Sequence, residues 1–172
     1  MTNNKTKHFV WLALLSAMAI TLSLVESIFI GPLLFGILRI GLANIIALIT
    51  IKLLGVKDMI IVNTMRVVIS TLMQGTIFGS VFWISLGGVV LSSIVLIILD
   101  HFHASLLFTS ILCAIAHSCG QVIIVALFYM QPGIAVLLPY LLLASIPMGI
   151  ITGIIAKMVL ARIHPLRKGA QA

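Results

Sequence analysis

A chain of 172 residues that is 62% hydrophobic and 8% charged cannot clothe a soluble surface, for which roughly a quarter of the residues would carry charge. Its formal charge of +7 does not point to nucleic acid, because the basic residues lie at the chain ends and in one short loop, where they act as topology signals and contacts for anionic lipid. The composition implies an integral membrane protein in a lipid bilayer, and at about 20 residues per crossing the chain is long enough for six.

The first apolar span covers 8–26. Its start, "MTNNKTKHFVWLALLSAMAITLSLV", has the basic head and apolar middle of a signal peptide, but five further apolar spans follow, so it reads as a retained first helix. Ala13 and Ala17 are four apart, with Thr21 continuing their face. Small residues at that spacing let another helix approach closely, whether a partner's or one of the chain's own. Glu26 closes this span on a face that also carries Ser16 and Ser23.

The second span, 33–54, holds Arg39 about six residues inside its outer end, and Asn44 five residues later. On an ideal helix that offset turns Asn44 about 140° away from Arg39, which makes Asn44 the weaker candidate. In the third span, 59–78, Asn63, Arg66, Ser70 and Gln74 are spaced 3, 4 and 4 and share one helical face. The fourth, 82–99, contains "SLGGVVLSS", whose Gly87 and Gly88 admit a close helix or ligand. The fifth, 104–130, contains "LCAIAHSCGQVII", with His117 and Gln121 four apart on one face. Cys113 and Cys119, six apart, fall on roughly opposite faces of that helix, which suits neither a disulfide nor a metal site. The sixth span covers 134–161 and leads into the basic tail "HPLRKGAQA". The breaks "ESIFIGP", "GVKD", "FGSV", "DHFH" and "MQPG" each carry Gly, Pro or charge. The expected fold is an all-α integral membrane protein, one six-helix transmembrane domain over 1–172.

Lys5 and Lys7 precede the first span, Lys52 and Lys57 flank the second break, and Lys157, Arg162, Arg167 and Lys168 close the chain. The alternate loops near 28–34, 79–81 and 131–133 carry no Lys or Arg. By the positive-inside bias both termini are cytoplasmic, in a multi-pass protein of the cell membrane. Arg39 and Arg66 are the two cations left inside spans. An intramembrane arginine costs at least about 2.5–3.5 kcal/mol and so faces the bundle interior or a cavity. With Asn63, Gln74, His117 and Gln121, the two arginines outline a polar pocket open to the outside and suited to a carboxylate or phosphate. Other roles remain open for some of these groups. Glu26 and Arg39 are as readily a rim ion pair, the Asn63–Gln74 stripe serves equally as interhelical hydrogen-bond glue, and His117 suits a packed core. Glu26, Asp58 and Asp100 all lie near the ends of spans, so no intramembrane carboxylate offers Arg66 an obvious partner.

Enzymatic readings fail on what the chain lacks. There is no G-x-x-x-x-G-K-[ST] sequence for ATP. Three isolated acidic residues, Glu26, Asp58 and Asp100, cannot assemble the acidic clusters that hold Mg²⁺ against a diphosphate. His101 and His103 beside Asp100 lack a third spaced metal ligand.

The blocks "ESIFIGP…GILRIGLANIIALI", "RVVISTLMQGTIFG", "SLGGVVLS", "AIAHSCGQ" and "LPYLLLASIPMGIITGIIA", in this order over residues 10–162, resemble the Gx transporter family, which is also catalogued as heptaprenyl diphosphate synthase component I. Arg39 departs from the lysine of a "PGVKLGLAN"-like block, keeping the charge, and the Pro-Gly turn is shifted to Gly31 and Pro32. That family is similar to the S components of energy-coupling factor (ECF) transporters. The resemblance implies an S-component-like bundle that captures a small anionic vitamin- or cofactor-like ligand, a flavin or a quinone- or prenyl-related compound, from outside. It implies docking through Ala13 and Ala17 onto a transmembrane coupling subunit bearing two ATPase subunits, which hydrolyse the ATP, so that this chain binds no cofactor of its own. The catalogue name implies the alternative, a non-catalytic membrane partner of a heptaprenyl diphosphate synthase.

Overall fold

The computed structural model describes residues 2–29, 42–129 and 138–169, and these form six helices: α1 (Thr2–Phe29), α2 (Asn44–Leu53), α3 (Val56–Met73), α4 (Ser80–His101), α5 (Leu106–Tyr129) and α6 (Leu138–Gly169). Among the described residues there is no strand. Four helices, α1, α4, α5 and α6, contain stretches long and apolar enough to cross a bilayer. The described part of α2 has 10 residues, and the 18 residues of α3 include Lys57, Asp58, Asn63 and Arg66. Helix α1 starts before the apolar span at 8–26, and α6 runs past the span at 134–161 to Gly169. Apolar runs mark the stretch that needs a bilayer, whereas hydrogen bonding carries a helix on into water.

The burial pattern is inverted relative to a soluble domain. Large apolar side chains such as Phe9, Val10, Leu14, Met18, Val90, Ile94, Ile123 and Leu143 are exposed, while Glu26, Asn44, Asn63, Arg66, His117 and Gln121 are buried. That is the arrangement expected when hydrocarbon surrounds the bundle and polar groups must find partners inside it. Helix α2 is the axle: every residue from Asn44 to Ile51 is buried, and its isoleucines and Leu48 pack with Leu15, Ala19, Met59, Val62, Leu96 and Ala156.

Small residues set the distances between helices. A Cβ on Gly120 of α5 would fall 2.5 Å from the Gly87 carbonyl oxygen of α4, and one on Gly149 of α6 would fall 2.7 Å from Ile111 Cα of α5. Hydroxyl pairs Ser110–Thr152 and Ser118–Ser145 stitch α5 to α6. At one end of the bundle His8 meets Asp58 at 2.8 Å and Lys52 meets Asp100, which ties the start of α1 to the start of α3 and the end of α2 to the end of α4. The tight α2–α3 link turns at Gly55, whose φ of +101° no side-chain-bearing residue adopts without strain.

Candidate functional site: a buried polar cluster around Arg66

The periodicity of α3 carries its polar stripe inward. Asn63, Arg66 and Ser70 are 4%, 3% and 0% exposed, so a guanidinium lies fully inside an apolar bundle. Its surroundings come from four other elements. Ser23 and Glu26 of α1, Ala43 at the entry to α2, Ser85 and Val89 of α4 and His117 of α5 line one narrow cleft with Arg66 and Val67. Glu26 is 2% exposed, so a carboxyl group and a guanidinium border the same water-poor space. A carboxylate therefore does border Arg66, which the position of Glu26 near the end of its span did not suggest. The gap between these side chains has room for about one water molecule.

Arg66 also turns towards α2. Both its Nη1 and Nη2 lie 3.4 Å from Asn44 Oδ1, the long end of hydrogen-bond range. A guanidinium only donates, so this contact fixes the Asn44 carbonyl towards Arg66 and its amide nitrogen away. Asn44 Nδ2 is buried with no hydrogen-bond partner. It borders a second cleft, lined by Asn44, Asn63, Ser92, Ser93 and Cys113 among apolar groups. There Asn63 Nδ2 donates to Ser93 Oγ at 2.8 Å and points at Met59 Sδ, and Asn63 Oδ1 is unmatched.

On α5 the i, i+4 spacing brings His117 and Gln121 together as expected. Gln121 Nε2 and His117 Nε2 lie 3.1 Å apart, within hydrogen-bond distance. Gly88 makes the room: a Cβ there would sit 2.9 Å from both His117 Cε1 and Gln121 Cγ. Helix α4 thus uses its glycine for close helix approach, and the histidine and glutamine are pressed against its backbone.

The sequence candidates therefore divide. Arg66 and His117 line the first cleft, Gln121 braces His117, and Asn63 lines the second cleft. Gln74 lies apart, at the C-cap of α3, where Nε2 donates to the Ser70 carbonyl at 2.7 Å. Arg39 lies outside the described residues, and with it the rim pairing to Glu26. Ala13 and Ala17 are exposed on the outer face of α1, away from the cluster. The residues that sequence spacing ranked low or passed over are Asn44, Ser85 and Ser93. Asn44 has no polar partner at helical spacing on its own helix, and Ser85 and Ser93 lie in "SLGGVVLSS", a stretch that stands out for its glycines. Among the described residues no three His, Cys, Asp or Glu side chains come together as metal ligands.

The two clefts together gather a cation, a carboxylate, an imidazole, hydroxyls and two amides in a water-poor interior. The family model described as heptaprenyl diphosphate synthase component I matches residues 15–159, a stretch that contains every residue of both clefts. No curated protein and no solved structure matches the chain.

Proposed function

The chain belongs to the heptaprenyl diphosphate synthase component I family, and from that premise we propose that it is the non-catalytic membrane subunit of such a synthase, working with a separate catalytic subunit. The family match over 15–159 is the observation that carries this reading. Chemistry supports the division of labour: three acidic residues in 172 leave nothing to hold Mg²⁺ on a diphosphate, so bond making falls to the partner. The subunit lies in the cell membrane with both termini in the cytoplasm, and its cluster of Arg66, His117, Gln121 and Asn63 holds an anionic head group, with Arg39 and Gln74 as further candidate contacts. The test is co-expression of the tagged chain with the catalytic subunit. Capture of that subunit in mild detergent, and product formation at membranes only when both are present, are the expected results. A catalytic subunit that never associates and works equally well alone would overturn the reading.

One observation favours a second reading. Ala13 and Ala17 present a small-residue notch on the outside of α1, suited to close packing by a helix of another protein. In that reading the chain is the substrate-binding subunit of an ECF-type ATP-driven transporter. It binds a small anionic vitamin- or cofactor-like molecule, a flavin or a quinone- or prenyl-related compound, and docks through α1 on a coupling subunit that carries two ATPases. Mass spectrometry of the purified protein separates the two readings. A stoichiometric small anion together with co-purified ATPases supports transport, and a co-purified prenyl synthase supports the first reading.

A further inference from the structure

Arg66 carries a charge that it cannot shed, because a guanidinium stays protonated even in a protein interior. Buried as it is, it needs a negative partner inside the bundle. Among the described residues Glu26, in the last turn of α1, supplies the one carboxyl group that borders its cleft. His117 of α5 is the other titratable group there. The entry to α2 contributes Ala43, α4 contributes Ser85 and Val89, and α6 contributes nothing. An anion arriving at Arg66 therefore meets a carboxylate already in place. Two negative groups on one guanidinium, in a space for about one water, repel strongly because little solvent screens them. One of them must leave or lose its charge. Glu26 can do both: it can take a proton, and a change of rotamer in the last turn of α1 moves its carboxyl without breaking helix hydrogen bonds.

We propose that anion binding at Arg66 is coupled to the uptake of one proton by Glu26. In the empty cluster the Glu26 carboxylate balances the guanidinium. On binding, a phosphate or carboxylate oxygen of the ligand takes that place, and Glu26 accepts a proton from water and turns aside as a neutral acid. No bond within the ligand forms or breaks. One O–H bond forms on Glu26, and one negative oxygen replaces another, so the charge beside Arg66 is conserved. The exchange also accounts for a cleft with so little free space, because the ligand oxygen enters where the carboxylate stood. Loss of the proton reverses the exchange and expels the anion, so capture and release follow the local proton supply.

The inference rests on the reading of the cluster as an anion site, and the test separates the two. Farnesyl diphosphate is titrated calorimetrically into the detergent-solubilised chain and into E26Q, in pairs of buffers with different ionisation enthalpies. The range is about pH 8 to 9, above the last phosphate ionisation of the ligand. Wild type is expected to take up about one proton per ligand, and its affinity to fall about tenfold per pH unit. E26Q, fixed in the neutral form, should bind without proton uptake and with an affinity that does not change with pH. The ligand should also raise the melting temperature of E26Q more than that of wild type, because it supplies the counter-ion that Arg66 has lost. Inorganic pyrophosphate, compared for affinity alone, distinguishes the ligand sources: equal binding identifies a free phosphate compound, and much weaker binding the lipid-tailed one. Wild-type binding without proton uptake overturns the role of Glu26 and leaves the anion site standing, as does an uptake that persists in E26Q and disappears in H117Q. A wild type that binds neither phosphate compound at any pH overturns both. Should E26Q fail to fold, the proton count of the wild type decides by itself.

Discussion

Arg66 and Glu26 are each almost completely buried and border one cleft. Replacing one member of a buried charge pair leaves the other stranded, whereas replacing both by neutral groups of similar volume is often tolerated. R66A is therefore expected to lose stability by about 3–5 kcal/mol and also to lose anion binding. The double variant R66M/E26Q should recover most of the melting temperature while remaining unable to bind. Thermal unfolding in detergent of the two single variants and the double reads the coupling directly, and strictly additive losses would mean that the two charges act independently. The inward face of α3 was legible in the sequence because 3.6-residue periodicity is a property of one helix. The Glu26–Arg66 juxtaposition was not, because depth estimated along a helix locates Cα atoms, and a long arginine stem carries its charge well away from its own Cα. The contact of Arg66 with Asn44 is hidden for a related reason. Helical spacing relates Asn44 only to residues of its own helix, and Arg66 is on another.

Among the elements, α4 and α5 form the most closely fitted pair, and glycine sets their spacing. Even one methyl group on Gly120 would meet the Gly87 carbonyl at 2.5 Å, and the neighbouring Gly88 seats the His117 ring. G120A should then force the helices apart and cost about 1–3 kcal/mol, the usual range for overpacking. Because the clefts depend on that spacing, anion affinity should fall with it. Thermal unfolding and calorimetry on this variant check both, and an unchanged melting temperature would show that the two helices have slack. Helix α1 gives the contrasting case. Ala17 is exposed, so A17W clashes with nothing inside the chain. It should leave melting temperature and anion affinity unchanged while abolishing capture of a membrane coupling partner, should there be one, in pull-downs. Helix identities were legible from the apolar runs, but helix ends were not. Gln74 continues the stripe of Asn63, Arg66 and Ser70 by spacing, yet α3 stops at Met73, and beyond a helix end the face rule no longer holds.

For the whole molecule, the proposed orientation can be argued from charge and connectivity. Two side-chain pairs, His8–Asp58 and Lys52–Asp100, gather the start of α1, the end of α2, the start of α3 and the end of α4 at one end of the bundle. Lys5, Lys7, Lys57, Lys157 and Arg162 belong to helix segments leading to that same end, whereas the 74–79 link between α3 and α4 carries no Lys or Arg. The pairs themselves are partly exposed, with side-chain exposures of 50% and 13% for His8–Asp58 and 33% and 27% for Lys52–Asp100. At that exposure each contributes only about 0–1 kcal/mol, so their value is as markers of which end is which. In the proposed orientation the Lys- and Arg-rich end is the cytoplasmic one, as the positive-inside bias predicts. In a background with Cys113 and Cys119 replaced by alanine, H103C, in the turn after α4, should react with a membrane-impermeant maleimide only in inside-out vesicles. T76C, in the link between α3 and α4, should react in intact cells. Both residues lie in turns outside the helices, so access rather than folding governs labelling. The reverse pattern would turn the protein over and place the basic end outside, where no cytoplasmic synthase or ATPase could reach it. Labelling of both sites from one side would remove the crossing by α4, and with it the membrane depth assigned to the cluster packed against that helix.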